Sequence, residues 1–125
     1  LHDVGHSIIP AIDIGQIEGG FIQGMGWLTT EELVWNAKGQ LQTHAPSTYK
    51  IPTAGDLPPR WKVALWPEAN REDNVHGSKA VGEPPFMLAI SVHEALRDAV
   101  ARAAGRPDDV DAPATSEVVL RALGG

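Results

Sequence analysis

Glu83 is the residue of this chain whose neighbours most favour catalysis. It follows Gly82 and precedes Pro84 and Pro85. Proline has a fixed φ and no amide hydrogen, so the pair suits the first turn of a helix, while glycine lets a ligand or another backbone come close. The pattern therefore predicts a carboxylate held on a rigid turn, as a general base requires. It equally fits a glutamate that only stabilises the positive end of a helix dipole.

A glycine-rich helix is predicted near the start of the chain. Apolar residues recur at three- and four-residue steps on one face, at Ile14, Ile17, Phe21, Met25 and Leu28. Five glycines lie in the same stretch, at Gly15, Gly19, Gly20, Gly24 and Gly26. Each glycine lowers the stability of a helix by about 1 kcal/mol relative to alanine. Close packing on another element or close approach of a bulky ligand would explain them, and Gln16 would offer that ligand an amide. Asp13 and Gln16 also resemble a capping box.

Four sequence blocks follow one another at defined distances. They are residues 15–24, 30–33, 46–52 and 78–85. In this order and spacing they resemble the xanthine dehydrogenase and aldehyde oxidase family. The blocks Pro-Ser-Thr-Tyr-Lys-Ile-Pro and Gly-Glu-Pro-Pro favour the xanthine dehydrogenase branch. The resemblance implies that residues 1–105 are the C-terminal part of a molybdopterin-binding domain, and it gives the remaining residues little support.

The resemblance also implies roles for individual residues. The enzyme would be a molybdenum hydroxylase of purine catabolism that oxidises hypoxanthine and xanthine at a ring carbon with water. Glu83 would be its catalytic base. The residues that would contact molybdopterin are Gln16, Gly15, Gly19, Gly20 and Lys79. The metal would come with that cofactor, and no side chain of this chain is predicted to bind it.

The predicted partners are the remainder of the molybdenum-binding polypeptide, an iron–sulfur and FAD subunit or domain, and a purine substrate. FAD and the 2Fe-2S clusters would lie outside this chain, which has no cysteine to ligate a cluster. Two other interpretations stay open. The segment could come from an aldehyde oxidase-type hydroxylase, or it could be a non-catalytic scaffold domain that binds nothing.

Composition limits the class of protein further. The chain has 125 residues, a net charge of −6 and no cysteine, and its pI is near 5.2. An acidic balance disfavours a nucleic-acid partner, and the sequence has no long apolar run that would enter a membrane. These features predict a cytoplasmic protein. Leucine at position 1 predicts that the chain is a fragment of a longer polypeptide.

The remaining segments predict an α+β fold with a two-layer mixed sheet and packed helices. Residues 31–43 read as a hairpin and residues 61–66 as a half-buried strand. A helix of about five turns is predicted from Pro84 to Ala104 and ends at Gly105. Its first half is apolar nearly all round, which predicts that this half is buried. Residues 106–125 are predicted to be an acidic linker followed by a short terminal helix.

Overall fold

One long helix organises this protein, for which the computed structural model describes residues 1–105 and 110–124. The helices are α1 at Pro10–Thr29, α2 at Pro84–Leu88, α3 at Ile90–Ala104 and α4 at Ser116–Ala122, with short 3₁₀ turns at Ala54–Asp56 and Val75–Gly77. Helix α1 packs against α2 and α3, and α3 packs against α4. The glycine-rich helix predicted from the sequence is therefore the central element.

Helix α1 begins at Pro10, earlier than the capping pattern predicts. Ile9 precedes it with an extended backbone and no side-chain cap. Proline suits this first position because its missing N–H would have no partner inside the helix. Asp13 lies within the first turn and accepts a hydrogen bond from the Ser7 hydroxyl. The predicted capping box of Asp13 and Gln16 is therefore wrong.

The core consists of two small apolar clusters. The first contains Met25, Leu28 and Ala89, and the second contains Val100, Val110 and Ala114. Val110 and Ala114 lie beyond the boundary predicted at residue 105, yet both are buried. The amide of Ala114 also donates to the carbonyl of Leu28 at 2.8 Å. The division into residues 1–105 and 106–125 stays a prediction, and residues 106–109 of the predicted linker lie outside the described part.

The predicted two-layer mixed sheet is not confirmed. Within residues 1–105 and 110–124, extended segments meet only as isolated bridges, between His2 and Leu65, Gly5 and Ser78, and Trp35 and Leu41. The predicted hairpin thus forms a single bridge, and segment 61–66 pairs only through Leu65. An alternating apolar pattern reports one buried face, but it does not say whether neighbouring strands complete a ladder of hydrogen bonds.

The helix predicted from Pro84 to Ala104 is interrupted at Ala89. This residue is fully buried, and it lies so close to α1 that a Cβ added to Gly24 would be 2.8 Å from its own Cβ. The break between α2 and α3 thus lies at the residue that contacts Gly24 of α1. Leu88 and Ile90 are each 44% exposed, so the prediction that this apolar stretch is buried all round is wrong. Gly105 ends α3 with φ +68°, as predicted.

Large apolar side chains are exposed in several places. Ile8, Ile9 and Ile12 flank the start of α1, and Leu33 and Trp35 lie in the hairpin segment. Contiguous exposed apolar surface is typical of regions that contact further protein. In the described ranges, no helix has the length and apolar character needed to cross a membrane.

Replacing Gly24 by alanine is expected to destabilise the fold. The new Cβ would collide with the Phe86 carbonyl oxygen and the Ala89 side chain. Overpacking typically costs about 1–3 kcal/mol, which exceeds the gain of roughly 1 kcal/mol that alanine has over glycine in a helix. Gly15→Ala is the matched control, because nothing lies within 4 Å of its added Cβ. Urea unfolding followed by circular dichroism measures the free energy of unfolding of both variants. A Gly24→Ala variant as stable as Gly15→Ala would contradict the close packing of Gly24 against Phe86 and Ala89.

Candidate active site

A groove of about 830 Å³ lies between α1 and the start of α2. It is lined by Gly15, Gln16, Gly19, Gly20, Gln23, Gly82, Glu83, Pro84, Phe86 and Met87. Five of the six residues predicted to act in catalysis or cofactor binding are in this set. The volume lies within the range of about 300–1,000 Å³ that is usual for small-molecule and cofactor sites. The fold therefore brings the glycine-rich helix and the Gly-Glu-Pro-Pro turn to one concave surface.

Glu83 immediately precedes α2 and is exposed in the groove. Its backbone is helical, with φ −74° and ψ −22°, and its carbonyl accepts from the Phe86 amide at 2.9 Å. Its side chain makes no capping hydrogen bond to the helix. Glu83 is therefore not a hydrogen-bonded cap of α2, whereas a charge interaction with the helix dipole needs no such bond. The Glu83 side chain lines the groove and is not bound to the helix.

The glycines of α1 serve two faces of the helix. Gly20, Gly24 and Gly26 lie against other parts of the chain; a Cβ on Gly20 would be 3.2 Å from the Pro85 Cβ. Close packing explains these three. Gly15 and Gly19 are exposed, and nothing lies within 4 Å of a Cβ built on either. On the groove side, glycine therefore leaves a bare strip of helix against which a flat ligand fits.

Two glutamines of α1 line this groove. Gln16 and Gln23 are seven residues apart, about two helical turns, so they lie on the same side of the helix. Both are exposed, and neither amide is hydrogen-bonded within the part of the chain that the structure describes. Each amide offers donors and an acceptor. The sequence prediction missed Gln23, although its spacing from Gln16 was the signal that would have found it.

Lys79 is not among the groove residues. Its ammonium instead binds a carboxylate oxygen of Asp3 at 2.6 Å. This hydrogen bond, together with one from the Gly5 amide, holds the pKa of Asp3 below its ordinary value. The structure therefore gives no support to a direct contact between Lys79 and the cofactor, or to a pairing of Lys79 with Glu83.

Several known proteins are similar to this chain in sequence. Residues 1–58 match the family model described as a molybdopterin cofactor-binding domain. The chain is 46% identical to xanthine dehydrogenase/oxidase of Felis catus, over 96% of its own length and 10% of that relative. It is 41% identical to Probable aldehyde oxidase 2 of Oryza sativa subsp. japonica, over 99% of its length and 10% of that relative. The chain belongs to the xanthine dehydrogenase and aldehyde oxidase family.

A solved structure extends this family assignment to the fold. Quinoline 2-oxidoreductase from Pseudomonas putida 86 superposes with a TM-score of 0.80 and 31% identity, over 98% of this chain and 15% of that one. The chain therefore has the fold of a segment of this family, while the predicted mixed sheet is not confirmed. The chain spans about a tenth of the length of the curated relatives it matches.

The residues of the groove fit a molybdopterin cofactor. A pterin is a flat ring system with hydrogen-bond donors and acceptors along its edge, and the bare strip at Gly15 and Gly19 lies beside two unpaired amides. Among the described residues, no group of three or more His, Cys, Asp or Glu side chains could hold a metal ion.

The ion pair of Asp3 and Lys79 is expected to make stability pH-dependent. The pKa of Asp3 in the folded protein lies below its usual value of 3.8. The ionised carboxylate therefore stabilises the fold above pH 3.8, and this stabilisation is lost as the pH falls through the folded pKa. Asp3→Asn is expected to lower Tm near neutral pH and to have no effect in strong acid.

Thermal unfolding across this pH range checks the expectation. Asp111→Asn is the control, because it removes the same charge at an exposed position. An Asp3→Asn effect that is equal at every pH would contradict the electrostatic origin of the difference.

Proposed function

We propose that this chain supplies the catalytic glutamate and one wall of the cofactor groove to a xanthine dehydrogenase-type molybdenum hydroxylase. The observation that carries the proposal is that the uncapped carboxylate of Glu83 shares a groove with Gln16 and the bare glycine strip. The similarity to xanthine dehydrogenase/oxidase of Felis catus supports the substrate class. The reaction is the hydroxylation of a ring carbon of hypoxanthine or xanthine with oxygen from water.

Glu83 acts as the general base of this reaction. Molybdopterin, when bound, supplies a metal centre that takes up the electrons released by the substrate. The carboxylate of Glu83 accepts the proton of the oxygen that attacks the ring carbon. General-base catalysis of this kind typically contributes about 10²–10⁴ in rate. The carboxylate meets the first requirement for such a role because it faces the groove and is not occupied by the helix.

The amide side chains of α1 orient the cofactor. Gln16 would hold the pterin through its side-chain amide, and Gln23, two turns further along the groove, would offer a second amide. Gly15 and Gly19 allow the ring to approach the helix backbone because no side chain intervenes. Lys79 has no direct part in this arrangement, since its ammonium is paired with Asp3.

The groove needs further walls from outside this chain. Sites for small molecules usually bury about 70–90% of their ligand, whereas α1 and the start of α2 cover one side. We therefore propose that the remainder of a molybdenum-binding polypeptide covers the groove, consistent with the length of the relatives. FAD and 2Fe-2S clusters on other domains or another subunit carry the electrons away. The complete enzyme is proposed to be cytoplasmic.

An aldehyde oxidase-type substrate is the second candidate. The observation that favours it is the 41% identity to Probable aldehyde oxidase 2 of Oryza sativa subsp. japonica. The catalytic base and the cofactor contacts would be the same in both cases. Turnover of xanthine and of an aromatic aldehyde by one preparation of the complete enzyme distinguishes the two candidates, whereas a non-catalytic scaffold would oxidise neither.

Glu83→Gln in the complete enzyme is expected to abolish most turnover while the fold and cofactor content are retained. Glutamine matches the shape of glutamate but cannot accept the proton, so kcat should fall by about 10²–10⁴ or more. Single-turnover oxidation of xanthine at full molybdenum occupancy measures the loss. A rate within about threefold of the parent would show that the proton goes elsewhere. Glu94→Gln, an exposed glutamate on α3, controls for the loss of one carboxylate.

Gly19→Leu in the complete enzyme is expected to lower the molybdenum content markedly while changing the thermal stability of the fold little. Its added side chain would enter the groove, where nothing lies within 4 Å of the Cβ. Elemental analysis per folded molecule, together with Tm, measures both effects. Ala11→Leu adds bulk at an exposed position of α1 outside the groove and serves as the control. Normal molybdenum in Gly19→Leu would count against the cofactor-facing strip.

A further inference from the structure

The backbone around Glu83 is anchored on both sides. On the C-terminal side, Pro85 and Phe86 pack against Gly20 of α1. A Cβ added to Gly20 would lie 3.2 Å from the Pro85 Cβ and 3.3 Å from the Phe86 amide nitrogen. On the N-terminal side, the carbonyl oxygen of Gly82 lies 3.4 Å from the same added Cβ. The next backbone hydrogen bond toward the N-terminus is that of Lys79, so the path of the chain from Lys79 to Gly82 also influences the position of the carboxylate.

Lys79 is fixed by the start of the chain. We use the name N-terminal strap for residues 3–6. The amide of Lys79 donates to the carbonyl of Val4 at 2.9 Å, and the amide of His6 donates to the carbonyl of Gly77 at 2.8 Å. Gly5 has φ +72°, and a Cβ at this position would be 2.9 Å from the amide nitrogen of Lys79. The strap thus lies directly against the backbone that leads to Glu83.

An ion pair reinforces this contact. The ammonium of Lys79 and the carboxylate of Asp3 are 2.6 Å apart, and both side chains are partly shielded from solvent. The other carboxylate oxygen of Asp3 accepts from the Gly5 amide at 2.9 Å. One carboxylate therefore holds both the strap and the segment before Glu83. The ion pair of Arg102 and Asp98, by contrast, lies on the exposed face of one helix and joins no distant segments.

The turn after Lys79 depends on this support. Ala80 has φ +64°, a left-handed conformation that residues with a Cβ adopt only when their surroundings impose it. Its amide donates to the Ser78 hydroxyl at 3.2 Å. The left-handed residue turns the chain between the strap and Gly82, so release of the strap would let this segment relax and move Glu83.

We propose that Asp3 and Lys79 are positioning residues that fix the carboxylate of Glu83 in the groove by holding the backbone before it. The role rests on the proposed function of Glu83. It differs from the cofactor contact that the sequence predicts for Lys79, because the lysine acts through the strap. A displacement of about 1 Å of a catalytic group costs on the order of 10²-fold in rate, so a small relaxation of this segment is measurable.

The test uses the complete enzyme with Asp3→Asn, Lys79→Met and the double variant. Asparagine keeps an acceptor for the Gly5 amide and removes only the charge. Each single variant is expected to lower kcat by about 10- to 100-fold, with KM for xanthine and molybdenum content unchanged. The double variant should be no worse than either single one, because both remove the same pair. Asp98→Asn, which breaks an exposed pair within α3, is the control and should retain full kcat.

Hydrogen exchange gives a readout that is independent of turnover. The amides of Val81, Gly82 and Glu83 are expected to exchange faster in Asp3→Asn and Lys79→Met than in the parent or in Asp98→Asn. Unchanged exchange with kcat within about twofold of the parent would overturn the proposal. A loss of kcat that is accounted for by lost molybdenum or by a smaller folded fraction at the assay temperature would also overturn it, since that pattern indicates a structural role.

Glu83→Gln measured in the same series separates this inference from the proposed function. Full activity of Glu83→Gln would refute the proposed function and, with it, the positioning role. An inactive Glu83→Gln beside fully active Asp3→Asn and Lys79→Met would refute the positioning role alone.

Discussion

The close contact between α1 and the start of α2 is the constraint on which the groove depends. Gly24 is buried there, and it leaves no room for a side chain beside the Phe86 carbonyl and Ala89. Because the two backbones approach this closely, the turn that carries Glu83 lies at the edge of α1. A larger residue in place of Gly24 would separate the helices and, with them, the two walls of the groove. The packing of one glycine thus determines the geometry of a site one turn away.

Aromatic residues stabilise the same arrangement. The ring of Phe86 in α2 stacks on Trp27 of α1, with centroids 5.3 Å apart. Trp61 contacts Phe21 edge-on at the same centroid distance, and its indole donates to Glu18 at 3.1 Å. Helix α1 is therefore held by aromatic contacts from two directions, while its strip at Gly15 and Gly19 stays uncovered. These contacts give Trp27 and Trp61 a structural role in the packing of α1.

The sequence predicted local elements better than their pairing. The glycine-rich helix, the stop at Gly105 and the terminal helix were confirmed, because each follows from apolar periodicity or from the conformational preference of one residue type. The mixed sheet was not confirmed, since period-two patterns do not identify a hydrogen-bonding neighbour. The single helix from Pro84 was wrong at Ala89, where a contact with a distant helix coincides with the break. The capping box was wrong because Pro10 starts the helix by itself.

The sequence by itself determined the family and the cofactor class, and it named five of the residues that line the groove, because motif order and residue chemistry are properties of the chain. It left open whether the glycines of α1 served packing or a ligand. Only the tertiary structure decided that Gly20, Gly24 and Gly26 pack while Gly15 and Gly19 face open space, since that depends on which side of the helix other segments occupy. It likewise decided that Lys79 pairs with Asp3 rather than with Glu83. The partner of a long, flexible cation is set by which carboxylate the fold brings within reach, and residues 76 positions apart carry no local signal of that proximity.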